Sequence, residues 1–524
     1  MDPRPAIALR TGARWRGALR GPNGCVAADH PLAVEAGMAA LRMGGTAADA
    51  AVAMAAVMTV VQPYFSHLGG DSFAMTYEAA TRKVEALVSS GPAPMSADAD
   101  GYRAVGSIPQ TGARAVTVPG CVDGWWHLHQ RYGRLNWDGL FETAIDYAKD
   151  GFPASRQLVD EIDGGRAKCA PSRFFSEVFG QVTRAGQPVV QPALARTLST
   201  IAIHGADGFY SGPVADACRE PLGKDGVAFS ANEWRGPARW ERPVSTLFAG
   251  HRILTQPLPT QGFVLPLSLR RYEEMLKKRA GTDAAVLQHA ALAEAFAVRY
   301  QLAGDPDVTG LDTQALVDSD IGREMSRAAS LESGDTTYML AIDGDGNAVS
   351  LIQSVFAHWG SGLWAPEAGV LFNNRMCGFS LETGHPNELA PGKRPIHTLH
   401  CYVATGADGR LRVVGGTPGA MQQPQTNLQV LDHLLRRGMD VQDALDMPRW
   451  SLGSFSMFSR DFGQVTVEEH DPDSLSAIFD RAGISTETVP AWDAPMGRAY
   501  VAVVNEAGVA VGADIRGEGS AAVF

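Results

Sequence analysis

The sequence predicts an α+β protein with helices layered over β-sheet, and three observations carry that expectation. A stretch dominated by Ala, Met and Leu at 31–61, a region at 115–150 and an Ala-rich stretch at 285–304 read as helices. A hairpin pattern stands at 338–354, and strand-like runs follow at 411–414 and 499–504. A helix-rich first part joined to a strand-bearing second part buries its apolar faces best by stacking the two kinds of layer.

Each element has a local reason. The first helical stretch is broken at Gly44-Gly45-Thr46, and Thr46 can cap a second helix with Asp49 as the acidic partner of a capping box. Residues 115–150 run from Pro119-Gly120 into a second helical region, and 285–304 is an Ala-rich third. Residues 338–342 and 348–354 are apolar strand candidates around Asp343-Gly344-Asp345-Gly346-Asn347, which has strong turn chemistry.

Composition narrows the function. The chain has 524 residues, 45% hydrophobic and 19% charged, a globular mix that excludes disorder as the main state. By length alone the prior is about three domains. Lys and Arg number 45 against 57 Asp and Glu, a net charge of -12, the wrong sign for a nucleic-acid surface. The six cysteines include no C-x-x-C pair, and free thiols in a reducing compartment are expected. The N-terminus carries Arg residues but no apolar h-region, and the most apolar stretch, 50–61, is too short to span a bilayer. The expectation is a soluble, cytoplasmic protein with neither a membrane nor a nucleic acid as partner.

Several strings mimic motifs without their context. Gly517-Glu518-Gly519-Ser520-Ala521-Ala522 matches a dinucleotide pattern, but the chain ends at Phe524, before any helix could hold a pyrophosphate. Gly392-Lys393-Arg394-Pro395 lacks the rest of a P-loop. His397, His400 and Cys401 lie close in sequence without a second cluster of metal spacing, so no metal and no cofactor is expected. No G-x-S-x-G elbow occurs.

The informative string is Gly334-Asp335-Thr336-Thr337-Tyr338, at the mouth of the hairpin. Thr-Thr before a strand is ordinary β-propensity. A threonine at a chain start, however, can use its own α-amine as base, which requires the preceding peptide bond to be cut.

With its companions, this string resembles the γ-glutamyltranspeptidase family of N-terminal-nucleophile hydrolases. The resemblance runs from about His30 to the C-terminus. It is carried by GGTAADAAVA at 44–53, HLGGDSF at 67–73, AVTVPGCVDGW at 115–125, PLPTQG at 257–262, GDTTY, GSG at 360–362, PGKRPIHT at 391–398, GGTPGA at 415–420 and DMPRW at 446–450. It implies a four-layer αββα sandwich in place of three domains. It also implies a cut between Asp335 and Thr336. Residues 1–335 would form a large subunit, the helix-rich part of one domain. Residues 336–524 would form a small one, the two making a heterodimer with pairing of heterodimers left open. Thr336 is the implied nucleophile, and the N–H groups of Gly419 and Ala420 the implied oxyanion donors. Thr337 and Ser354 match hydroxyl positions near the nucleophile, although Ser354 reads equally well as a plain strand residue.

The departures bear on substrate. Ser90 stands where glutathione-cleaving members place an Arg, His397 and Thr398 stand for two serines, and Phe356, Arg375 and Gly378 stand for the groups that hold the α-amine. The clamp for an amino-acid head is thereby lost, at a cost on the order of several kcal/mol for a buried charged head. Arg375 can hold a carboxylate or carbonyl instead, with Phe356 as apolar wall, or can be a structural ion pair. With Asn374, Phe379, His385-Pro386-Asn387 and a short segment at 380–391, these residues resemble the acylase and oxamate-amidohydrolase-like branch. The expected function is hydrolysis of a small amide through an acyl-Thr intermediate, acting on an oxamate-like or dicarboxylic acyl group. A γ-glutamyltransferase or glutathione hydrolase is the alternative enzyme, and a non-processing binding homologue the alternative of another class.

Overall fold

The structure is a computed structural model that describes residues 17–279, 281–321, 335–453, 463–469, 475–492 and 494–524. The first sixteen residues, with most of the N-terminal leader reading, and Gly334 lie outside the described residues.

Two seven-stranded antiparallel sheets lie face to face. Their strands, in chain order, are β1 Leu19–Gly21, β2 Cys25–Ala28, β3 Asp71–Glu78, β4 Lys83–Ser89, β5 Arg239–Glu241, β6 Val244–Phe248, β7 His251–Thr255, β8 Thr337–Ile342, β9 Ala348–Ser354, β10 Cys401–Thr405, β11 Leu411–Gly416, β12 Tyr500–Asn505, β13 Gly508–Ala513 and β14 Ser520–Val523. One sheet has the order β14-β2-β8-β9-β3-β4-β5, the other β1-β13-β12-β11-β10-β7-β6. Alternation along β8 sorts the core: Tyr338, Leu340 and Ile342 face the opposite sheet with Val403, Val414 and Tyr500. Met339 and Ala341 face the helices on the other side.

Those helices include α1 Pro31–Arg42, α2 Ala47–Val61 and α3 Cys121–Tyr132. Every residue of α2 is buried, which its small Ala side chains permit by letting sheet and neighbouring helices approach closely. Its capping box forms as expected, with Thr46 Oγ1 accepting from Asp49 N–H and Asp49 accepting from Thr46 N–H at 2.8 Å. Against the other sheet pack α4 Val264–Lys278, α5 Ala284–Leu302 and α6 Gln422–Leu431, through Ile253, Tyr402, Val413 and Val501. The order is therefore αββα, as the resemblance implies.

The expected hairpin is β8–β9, with Thr337 opposite Gln353 and Ile342 opposite Ala348. Asp343 organises the turn, accepting from the N–H of Asp345 at 3.0 Å and of Asn347 at 2.9 Å. Its other oxygen accepts from Ala47 N–H at 3.0 Å, at the N-terminus of α2. Gly517–Gly519 leads into β14 rather than a helix.

The part before residue 336 is rich in helices and also supplies seven of the fourteen strands of the two sheets. β3 is buried along nearly its whole length, on both faces, so it lacks the alternation that marks a half-exposed strand. All six cysteines are free. Among the described residues, no helix is long and apolar enough to cross a membrane.

Candidate active site

Three strand ends meet at Thr336. β8 begins one residue after it, β9 ends at Ser354, and Ser354 pairs with Asp71 at the start of β3. Continuing the β8–β9 register places Thr336 beside Ser354, and the Asp335 N–H donates to the Phe356 carbonyl at 3.0 Å. Thr336 is 1% exposed.

The peptide bond before Thr336 is held on every side. The Ser354 hydroxyl donates to the Asp335 carbonyl oxygen at 2.8 Å and accepts from Phe356 N–H at 2.7 Å. Thr336 N–H donates to Asp335 Oδ1 at 2.8 Å. Arg498 forks onto both Asp335 carboxylate oxygens at 2.9 Å and reaches the Thr336 carbonyl at 3.4 Å. Arg498 is itself stacked over Phe65 at 4.8 Å, with Asp29 3.5 Å from its Nε. Burial works against its charge, but Asp335 and Asp29 outweigh burial and hold the pKa far above the ordinary range. Burial pushes Asp29 up to about 6, against the pull of Arg498.

The Gly419-Ala420 turn leaves β11 on the facing sheet. Both residues have positive φ, 113° and 46°, and the second is costly for a residue with a Cβ, roughly 1–3 kcal/mol. Among the described residues, neither of their N–H groups has a hydrogen-bond partner. A Cβ at Gly419 would lie 3.9 Å from Gly497 Cα, whose chain neighbour is the Arg498 that grips Asp335. Gln261 Nε2 ties this turn to the next cluster, donating to the carbonyls of Ala420 at 2.7 Å and Thr398 at 2.8 Å.

That cluster joins Arg375, Phe356, His397 and Thr398. The Arg375 guanidinium lies 4.1 Å from the centroid of the Phe356 ring, and its Nη1 donates to Thr398 Oγ1 at 3.4 Å. Phe356 has φ 81°, a second strained position. Asp71, which sequence reasoning missed although it stands inside HLGGDSF, is the carboxylate of this group. Its Oδ2 is 4.0 Å from Arg375 Nε and 3.1 Å from His397 Nε2. Leu399 N–H donates to His397 Nδ1 at 3.2 Å, so the ring proton sits on Nε2 and points to Asp71. Burial, reinforced by Arg375, holds His397 neutral. Burial raises Asp71 to about 7, with Arg375 pulling it back down.

Other expected residues fall differently. The Thr337 hydroxyl donates to the Gln353 carbonyl at 3.4 Å, a bond within the hairpin. His400 faces Asn427 at 3.2 Å, so it and His397 do not converge on one ligand. Arg498 and Asp29 carried no motif in the sequence.

Known proteins resemble this chain along nearly its whole length. The family model described as Gamma-glutamyltranspeptidase matches residues 33–524. The glutathione hydrolase-like YwrD proenzyme of Bacillus subtilis is 33% identical, with 96% of this chain and 98% of that protein covered. The oxamate amidohydrolase proenzyme of Klebsiella pneumoniae is 32% identical over the same shares. In structure, cephalosporin acylase from Bacillus halodurans superposes with a TM-score of 0.89 at 28% identity, covering 98% of both chains.

Proposed function

The chain belongs to the γ-glutamyltranspeptidase family and is an Ntn-type amidohydrolase. From that premise we propose that it cuts itself between Asp335 and Thr336, and that Thr336 then hydrolyses a small amide with an anionic or carbonyl acyl head. The observation that carries the first part is the Ser354 hydroxyl, 2.8 Å from the carbonyl oxygen of the bond to be cut. A donor placed there stabilises the oxyanion that forms when Thr336 Oγ attacks the Asp335 carbonyl. The products are residues 1–335 and 336–524, which stay together as a heterodimer. In the uncut chain Thr336 is buried and its nitrogen is an amide; the cut frees it as an α-amine.

In turnover the α-amine takes the Oγ proton as Oγ attacks the substrate carbonyl. The Gly419 and Ala420 N–H groups receive the new oxyanion, and water resolves the acyl-Thr. Arg375 holds the acyl head against Phe356. Its support is the placement of the guanidinium over the Phe356 ring, 4.1 Å from the centroid and beside Asp71. The named activities of the oxamate and cephalosporin relatives point the same way. The test is a denaturing gel followed by a substrate panel. We expect two bands, and turnover of oxamate or a glutaryl amide above that of a γ-glutamyl anilide. Turnover of the γ-glutamyl compound alone would refute the substrate assignment.

The Asp71–Arg375 pair predicts a pH dependence. Below about 7 Asp71 is neutral and does not compete with a substrate anion for Arg375. Above it the Asp71 carboxylate competes for Arg375. Among the described residues His397 touches Asp71, and Cys121 and Tyr210 feel its charge; burial holds all three neutral. KM for an anionic-headed acyl substrate is expected to rise as the pH passes 7, by about tenfold for a competing interaction of roughly 1.4 kcal/mol. Asp71→Asn should flatten that rise. A KM profile in this variant that still climbs like wild type would remove Asp71 from the account.

A further inference from the structure

We propose that the Asp335 side-chain carboxylate carries the proton in self-cleavage, and that Arg498 is the positioning residue that holds it there. This rests on the self-cleavage reading above and adds the residue that moves the proton. Moving the acyl group from nitrogen to oxygen needs one proton taken from Thr336 Oγ and one delivered to Thr336 N. Three covalent bonds separate those two atoms, so one base placed beside the nitrogen can serve both. Asp335 Oδ1 is such a base, 2.8 Å from Thr336 N. A carboxylate on the residue before the cut would normally swing freely. Here Arg498 fixes both of its oxygens at 2.9 Å while also touching the Thr336 carbonyl at 3.4 Å, so a single guanidinium spans the bond to be cut.

The surroundings keep the pair in place. Arg498 is buried, against Phe65 and beside Asp29, whose second oxygen accepts from the N–H of Tyr338 at 3.1 Å, two residues past the nucleophile. On the other side, His358 Nε2 lies 4.0 Å from Asp335 Oδ2, and its Nδ1 meets Glu161 at 2.9 Å. Burial disfavours a charge on His358, but Glu161 and Asp335 raise its pKa overall.

The Thr336 Oγ–H proton passes to Asp335 Oδ1 as Oγ bonds to the Asp335 carbonyl carbon. The carbonyl electron pair moves onto its oxygen, which the Ser354 hydroxyl stabilises. The C–N bond then breaks, the proton leaves Oδ1 for nitrogen, and an ester with a free α-amine results. Solvent water then hydrolyses the ester to the Asp335 α-carboxylate and the Thr336 hydroxyl, and the one proton released goes to the freed α-amine or to solvent.

The test follows full-length chains from synthesis in cell-free translation, sampled on denaturing gels, with thermal melts of whatever remains uncut. Asp335→Asn keeps size and shape but cannot carry the proton, and cleavage is expected to slow about a hundredfold or more. Asp335→Glu restores a carboxylate and should recover cleavage to within about tenfold of wild type, which a merely spatial role would not predict. Arg498→Lys should cut faster than Arg498→Met and slower than wild type. Asp335→Asn cutting at the wild-type rate, or Asp335→Glu cutting no faster than Asp335→Asn, overturns the proposal. A wild-type chain that never splits would instead overturn the self-cleavage reading, and the two failures look different on the same gel.

Discussion

Thr336→Ala is expected to remain one uncut chain of 524 residues and to turn over no amide. Both reactions lose the same oxygen, so no partial activity can come from an alternative nucleophile at that position. The loss should be about four orders of magnitude or more, the scale seen when a covalent nucleophile is removed from its base. The Thr337 hydroxyl does not replace it, since it is bonded to the Gln353 carbonyl within the hairpin. The fold should survive, because the deleted groups are small and the surrounding bonds run through Asp335, Ser354 and Arg498. The measurement is mass spectrometry of the purified variant beside an amidase assay. A cut at residue 335 in this variant would place the nucleophile elsewhere.

The largest stability effect is expected at Arg516→Met. Arg516 is fully buried, 2.5 Å and 2.6 Å from the two Glu468 oxygens and 3.1 Å from Asp514, with carbonyls of Leu445 and Met447 also accepting from it. Arg449 completes the network at 2.5 Å from Asp514. The substitution strips Glu468 of its forked partner and halves the cationic charge facing two buried carboxylates. Breaking one side of such a buried network costs roughly 3–5 kcal/mol, because the remaining charge stays desolvated. For a chain of this size that corresponds to about 3–5 °C in Tm, read by scanning calorimetry. A melting point unchanged from wild type would mean that water or a rearranged Arg449 already satisfies the carboxylates.

What the sequence made legible was mostly local. Thr46 and Asp49 cap α2 through backbone groups within one turn, and Asp343 builds the hairpin turn through neighbours no more than four residues away. Arg375, Phe356, His397 and Thr398 were named from matched strings and do converge, yet nothing local showed which carboxylate faces them. Asp71 comes from a strand more than three hundred residues upstream of His397. Arg498 meets Asp335 across a separation of 163 residues, and Gly497-Arg498 carries no pattern of its own. The missed strands of the first part share this cause: β3 is covered by helices on one face and a sheet on the other, so its burial is a property of the whole sandwich.

The order of the strands sets the fate of the two halves after a cut at residue 335. In one sheet β14, β8 and β9 from the later piece border β2 and β3 from the earlier one; in the other, β13 and β10 border β1 and β7. Two pieces so divided would be interleaved at five strand seams rather than docked on a face. Separating them would mean tearing both sheets, so the equilibrium between bound and free subunits is the same event as unfolding. Once the bond is gone, refolding becomes a bimolecular search in which neither partner owns a complete sheet. The native state is then preserved by its barrier rather than by its reversibility, and the cut becomes the point after which the molecule has only one chance to have folded correctly.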